Sequence, residues 1–222
     1  MSGELDLLAC DDDLVAVAKP SGMIVHRGWA DDDVALLGLV RDRVGAWVYP
    51  VHRLDRGASG VILFARSPAA ARALQDLWSA AEKRYLALVR GNPPDAATID
   101  HPIPRAEDGP RVPACTEITT LARAGRYALV EARPRTGRLH QIRRHLKHLS
   151  CPLIGDVRYG KGEHNRYFRE HHDLHRLALH ALTLRLPHPR SGLLCEFVAP
   201  VPPDLARVFA ALGMSAAVPA LP

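Results

Sequence analysis

The chain has 222 residues, 47% of them apolar and 24% charged, ordinary for a soluble globular protein and enough for one moderate domain or two small lobes. Lys and Arg number 29 against 24 Asp and Glu, a net charge of +5, which favours a polyanionic partner only weakly. No apolar run reaches about 18 residues and no basic-then-apolar leader opens the chain, so neither membrane insertion nor export is expected.

Cys10, Cys115, Cys151 and Cys195 lie far apart without a C-x-x-C and read as reduced thiols of a cytoplasmic protein. Acids crowd into Asp11 to Asp13 and Asp31 to Asp33, whereas Arg, His and Lys dominate residues 133 to 185.

Taken in order, Leu5 to Cys10 and Leu14 to Lys19 flank Asp11-Asp12-Asp13 and predict an opening hairpin. Lys19-Pro20-Ser21-Gly22 breaks it, and Met23 to Arg27 resumes in extended form. Asp33 is placed to cap a short amphipathic helix through Arg43, with Val34, Leu37 and Val40 on one face. Trp47 to Val51 and Val61 to Ala65 read as strands, the second an apolar run of buried-strand length. Ser67-Pro68 is an N-cap with Pro at the first helical position, opening an Ala-rich helix to Ala80.

Lys83 to Arg90 alternates, with Tyr85, Ala87 and Val89 on one face and Leu86 and Leu88 on the other, and reads as a strand. Residues 95 to 115 carry four prolines and read as a surface excursion with one short strand. Thr116 to Ala122 and Tyr127 to Ala132 predict a hairpin turning at Ala124-Gly125. A helix is expected from Thr136-Gly137 through Leu149, its stripe formed by Leu139, Ile142, Leu146 and Leu149. Residues 155 to 175 read as a polar loop, Leu179 to Leu186 and Leu193 to Val198 as a last hairpin, and Ala206 to Leu212 as a closing helix. Hairpins with intercalated helices imply an α+β fold: a single, bilobed catalytic domain over residues 1 to 222 around a mixed, mostly antiparallel sheet.

The stretch from His52 to Gly60 sets two arginines, a histidine and one carboxylate between two predicted strands. Residue types alone leave two readings. One is an Asx-turn with solvated arginines; the other is a carboxylate held among cations as a nucleophile or anion-pairing group. Three other motifs lead nowhere. Gly155 to Gly162 matches the start of a P-loop, but Gly162 stands where the metal-binding hydroxyl belongs. His171 and His175 have the one-turn spacing of zinc ligands without the glutamate of H-E-x-x-H, so no metal is expected. His52-Arg53-Leu54-Asp55 is a poor kinase H-R-D, with no D-F-G elsewhere.

Four separated blocks together resemble the RluA-type family of pseudouridine synthases. They are Lys19-Pro20-Ser21-Gly22; His52-Arg53-Leu54-Asp55 with Ser59-Gly60; Lys83 to Gly91; and Gly137-Arg138-Leu139-His140-Gln141-Ile142-Arg143-Arg144-His145, continuing into Pro152 to Asp156. Leu179-His180-Ala181 and Ala199-Pro200 extend the resemblance to about residues 5 to 205. Gly22 to Trp29 and Gly162 to Glu170 resemble the TruC-like branch, associated with uridine 65 of transfer RNA. One departure is Ala58, where the family usually has Thr.

The resemblance implies an isomerisation that breaks N1–C1′ of a uridine and joins C5 to C1′, with no cofactor and no metal. It implies Asp55 as the nucleophile, attacking C1′ or C6 or assisting a glycal route, with Arg143 paired to it and Tyr85 against the uracil. Arg53 would fill the gap left by the extruded nucleotide. His52, Lys19, Arg138, His140, Lys147, Arg166 and Arg169 are candidate RNA contacts. A monomer acting on transfer RNA, with no separate N-terminal RNA-binding domain, is the expected form. Ribosomal or dual RNA specificity, and a non-catalytic RNA-binding protein or chaperone on the same fold, are the alternatives.

Overall fold

A computed structural model describes residues 5–26, 34–106 and 109–220. The expected Asp33 cap and the stretch Arg27 to Trp29 lie outside the described residues. The strands are Leu7–Cys10 (β1), Leu14–Lys19 (β2), Tyr49–Pro50 (β3), Ser59–Ala65 (β4), Glu82–Arg90 (β5), Ala96–Asp100 (β6), Ile103–Pro104 (β7), Arg111–Val112 (β8), Cys115–Ala124 (β9), Tyr127–Pro134 (β10), Leu179–Pro187 (β11) and Leu194–Val198 (β12). The helices are Leu36–Val44 (α1), Pro68–Leu77 (α2), Gln141–His148 (α3), Gly162–His172 (α4) and Pro203–Ala211 (α5). The α+β expectation stands.

The chain divides into two compact units, Met1–Lys83 with Ala181–Pro200 and Arg84–His180 with Val201–Pro222. In the first unit, β1 and β2 form the predicted hairpin, and β2 pairs antiparallel with β4 from Leu14↔Ala65 to Lys19↔Gly60. The short β3 lies on β4, and β11 pairs antiparallel with β12. Every residue of β4 is buried, which explains its unbroken apolar run. Leu14, Leu63, Leu74, Leu184 and Phe197 share one core, each large side chain contributing about 1.5–3 kcal/mol by burial. The Ser67 hydroxyl accepts the Ala70 amide at 3.0 Å and caps α2, which buries Ala70 and Leu74 on that core. Gly60 has φ +118°, and a Cβ there would run into the Ala181 carbonyl. Only glycine lets β4 begin so close to neighbouring backbone.

In the second unit, β5, β10, β9 and β6 pair antiparallel in that order. Tyr85 stands opposite Ala132 of β10. Leu86, Ala87, Leu88 and Val89 are all fully buried, and α5 adds Leu205, Val208 and Phe209 to the interior.

Three expectations are corrected here. Residues 95 to 115 hold three strands, β6, β7 and β8, rather than one. In β6 only Ile99 is buried, so no apolar period marks it. Residues 155 to 175 are not all loop, because α4 occupies Gly162–His172. Its inward face is His164, Asn165 and Phe168, two of them polar, so an apolar-stripe reading passes over it. Because α4 ends at His172 with Asp173 left-handed, His171 and His175 do not share a helix face. Lastly, α3 begins at Gln141, not at Thr136-Gly137.

The cause of that late start is local. His140 has φ +54°, and the Gln141 side chain holds the lead-in turn. Its Oε1 accepts the Arg138 amide at 3.0 Å and the Thr136 hydroxyl at 2.6 Å. Its Nε2 donates to the Cys115 carbonyl and to Thr116 Oγ1, both at 2.9 Å. Arg138, Leu139 and His140 therefore precede the helix.

Candidate active site

In the first unit, Asp55 sits half-buried on the turn between β3 and β4, flanked by exposed Arg53 and Arg56. The Ala58 amide donates to the Asp55 backbone carbonyl at 3.0 Å and closes the turn. The Lys19-Pro20-Ser21-Gly22 loop braces it. Lys19 Nζ donates to the carbonyls of Pro20 at 2.8 Å, Met23 at 2.7 Å and Arg56 at 3.3 Å. Ser21 Oγ donates to the Gly57 carbonyl at 2.7 Å, the Gly22 amide to the Arg56 carbonyl at 2.8 Å, and Arg56 Nε to the Gly22 carbonyl at 3.0 Å. Two blocks more than thirty residues apart thus form one clasp around the Asp55 turn.

Lys19 is 1% exposed. An ammonium has three donors, and three carbonyls meet it here, so its place as a phosphate contact gives way to bracing the loop. His52 turns inward as well. Its Nε2 accepts the Leu63 amide at 3.1 Å and its ring stacks on Trp78 with centroids 4.7 Å apart. Burial, with the Lys83 charge second, pushes its pKa down to about 3, so the ring is neutral with its proton on Nδ1. It fixes β4 rather than facing RNA.

In the second unit, Tyr85 is half-buried on β5. Arg143, 9% exposed, projects from the buried side of α3. Its Nε donates to Asp156 Oδ2 at 2.7 Å and its Nη2 to Asp156 Oδ1 at 2.9 Å. Asp156 is 1% exposed. Burial works to raise its carboxyl pKa, but bonds from Arg143 and from the Tyr159 and Arg158 amides carry it below the usual carboxylate value.

Tyr159 gathers cations. Its hydroxyl lies 3.0 Å from Arg144 Nε and 3.1 Å from His140 Nδ1. Its ring centroid is 5.1 Å from the Arg143 guanidinium, 5.6 Å from that of Arg158 and 5.8 Å from Lys147 Nζ. The predicted His140 and Lys147 are thereby brought together. Exposed Arg138 bonds the Pro113 carbonyl at 3.2 Å, and Arg166 and Arg169 are exposed on α4. Like charges so concentrated fit a phosphodiester backbone.

Sequence reasoning gives Asp156 and Tyr159 no role: Asp156 enters only as the last residue of the fourth block, and both fall in the Gly155 to Gly162 run that reads superficially as a P-loop. Among the described residues, Asp11, Asp13 and His188 could group around a metal. Asp11 instead caps the Asp13 and Leu14 amides, and Asp13 pairs with Arg190 at 2.7 Å.

The first unit thus offers a braced carboxylate, and the second a tyrosine, a fixed guanidinium and a basic surface. Residues 13–148 match the family model described as RNA pseudouridylate synthase. The chain belongs to the RNA pseudouridylate synthase family, as the four blocks implied. It is 40% identical over 210 residues to "tRNA pseudouridine synthase C" of Vibrio cholerae, covering 83% of this chain and 86% of that protein. The protein of that name from Salmonella typhimurium is 42% identical over 213 residues, covering 85% and 82%. The one from Pectobacterium carotovorum is 42% identical over 214 residues, but the match spans 57% of its length. Among solved structures, human RNA Pseudouridylate Synthase Domain Containing 4 superposes with a TM-score of 0.77 at 28% identity, over 94% of this chain and 93% of that one. Among the described residues no helix is long and apolar enough to cross a membrane.

Proposed function

We propose that the chain isomerises uridine to pseudouridine in transfer RNA, at uridine 65, with Asp55 as the nucleophile. The observation that carries this reading is the clasp, in which Lys19 and Ser21 bond the Arg56 and Gly57 carbonyls of the turn presenting one carboxylate, while Lys19 also ties its own loop through Pro20 and Met23. A turn kept only for chain reversal needs no such bracing. The transfer-RNA substrate and position rest on the relatives' names and on the TruC-like stretches. The expected setting is the cytoplasm, and the expected form a monomer.

The reaction is balanced within the substrate. N1–C1′ breaks, the uracil turns over, C5–C1′ forms, and the C5 proton leaves to solvent while N1 gains one. It calls for a carboxylate, a proton path and room for an extruded base, and for no cofactor. In this reading Tyr85 stacks on the uracil with its hydroxyl near the moving proton, and Arg143 supplies a positive charge to the reacting groups. Arg53 takes the place of the extruded nucleotide, and Arg138, His140, Lys147, Arg166 and Arg169 meet phosphates.

The test uses unmodified transfer RNA tritiated at uracil C5. Wild-type protein should release the label and Asp55→Asn should not, and the modified position should map to uridine 65. Label release at another site, or from ribosomal RNA, would move the substrate. Free uracil would mark a glycosidase. Binding without release by either protein would mark a chaperone.

A further inference from the structure

Buried at the end of the last of the four blocks, Asp156 has a role that the reaction's chemistry does not name. A surface Arg on an amphipathic helix ordinarily snorkels to water. Arg143 is instead drawn inward, and both partners of its ion pair are buried. Contact through Nε and Nη2 together fixes the rotation of the guanidinium plane, which a single contact does not.

The carboxylate itself is held. Asp156 Oδ1 accepts the Arg158 amide at 3.0 Å and the Tyr159 amide at 2.9 Å. Its backbone carbonyl accepts the Gly160 amide at 3.0 Å and Asn165 Nδ2 at 2.9 Å. Asn165 Oδ1 in turn accepts the Gly155 amide at 2.8 Å. A Cβ at Gly155 would strike the Arg176 carbonyl, and one at Gly160 the Asp156 carbonyl. The loop is tied from α4 and packed to the limit of its backbone, with one side chain directed at one arginine. The ring of Tyr159, three residues on, lies against the same guanidinium.

We propose that Asp156 is a positioning residue of the isomerisation, holding Arg143 in the single orientation in which its charge serves the reacting groups. The inference rests on the role given above to Arg143. Its two oxygens divide their work. Oδ1 serves the loop amides and Arg143 Nη2, whereas Oδ2 serves Arg143 Nε. Asp156→Asn can keep the loop amides and Arg143 Nη2 on Oδ1 but sets an amide donor against Arg143 Nε, so it spares the turn and leaves the guanidinium with one contact and no counter-charge.

The experiment compares wild type, Asp156→Asn and Asn165→Ala in single-turnover tritium release, filter binding of the same RNA, and thermal melting. Misplacing a reacting group by about 1 Å can cost about 10²-fold in rate. Asp156→Asn should slow release by about that factor, with RNA affinity within about threefold and a cooperative melt. Asn165→Ala, which loosens the loop but spares the carboxylate, should stay within about fivefold of wild type. Unchanged release by Asp156→Asn would overturn the proposal. So would equal losses of rate and affinity, or an equal slowing by Asn165→Ala, since either makes the pair a loop-stabilising one. Should Asp156→Asn not fold, Asp156→Ser, which can cap the same amides without charge, is read by the same criteria. If wild type released no label, or Asp55→Asn released it as fast, the failure would lie with the enzymatic reading and not with Asp156.

Discussion

The imidazole of His52 accepts the amide proton of Leu63 at 3.1 Å, bonding the start of the Asp55 turn to the middle of β4. Burial pushes the His52 pKa from 6.5 down to about 3, and His145 and His164 shift the same way, also by burial first. The folded protein keeps these rings neutral while the unfolded chain takes up protons below about pH 6.5. The stability they supply is complete above about pH 6.5 and is lost as pH falls below it, for His52 down to about 3. Denaturant melts at pH 7.5 and pH 5 should differ by on the order of a few kcal/mol. A His52→Leu variant should be weaker at pH 7.5 and lose less on acidification. An acid slope equal to wild type would show that His52 does not titrate on unfolding.

Lys19 bears on how RNA binding and the Asp55 turn are separated. Lys19→Met removes the donor from three carbonyls and should cost about 3 kcal/mol, with loss of turnover as the turn loosens. Because the ammonium is enclosed, the salt dependence of RNA binding should keep its slope. A shallower slope would return Lys19 to the phosphate contacts.

For the exposed Lys147 and Arg158 the opposite is expected. Each change to Ala should weaken RNA binding and reduce the log–log salt slope by about 0.7–0.9 for every phosphate it leaves unneutralised, with single-turnover release at saturating enzyme near wild type. An unchanged slope would leave the cations around Tyr159 without a part in binding.

Tyr85→Phe tests the tyrosine on β5. The stacking ring remains and the hydroxyl goes, so turnover should fall far more than affinity. Equal losses would reduce Tyr85 to a packing residue.

Family, fold class and most strands were legible in the chain. A strand buried on both faces, such as Val61 to Ala65, must be apolar throughout, and hairpins declare themselves through alternation and turn residues. What escaped were elements whose inward faces are polar or nearly empty: α4 with His164 and Asn165, and β6 with Ile99 alone. Hydrophobic period carries no information about a face satisfied by hydrogen bonds.

The sequence by itself determined which residue types recur in which blocks, and so the family and the carboxylate at Asp55. Only the tertiary structure decided which cations are on the surface. Lys19 and Lys147 are the same residue type, yet one is enclosed by three carbonyls and the other is exposed beside Tyr159. Likewise Arg143 and Arg144 are neighbours in the chain, but α3 turns about 100° between them. One therefore meets Asp156 in the interior, and the other meets the Tyr159 hydroxyl. Charge is written in the sequence; its partner is a matter of which segments the fold brings within hydrogen-bond reach.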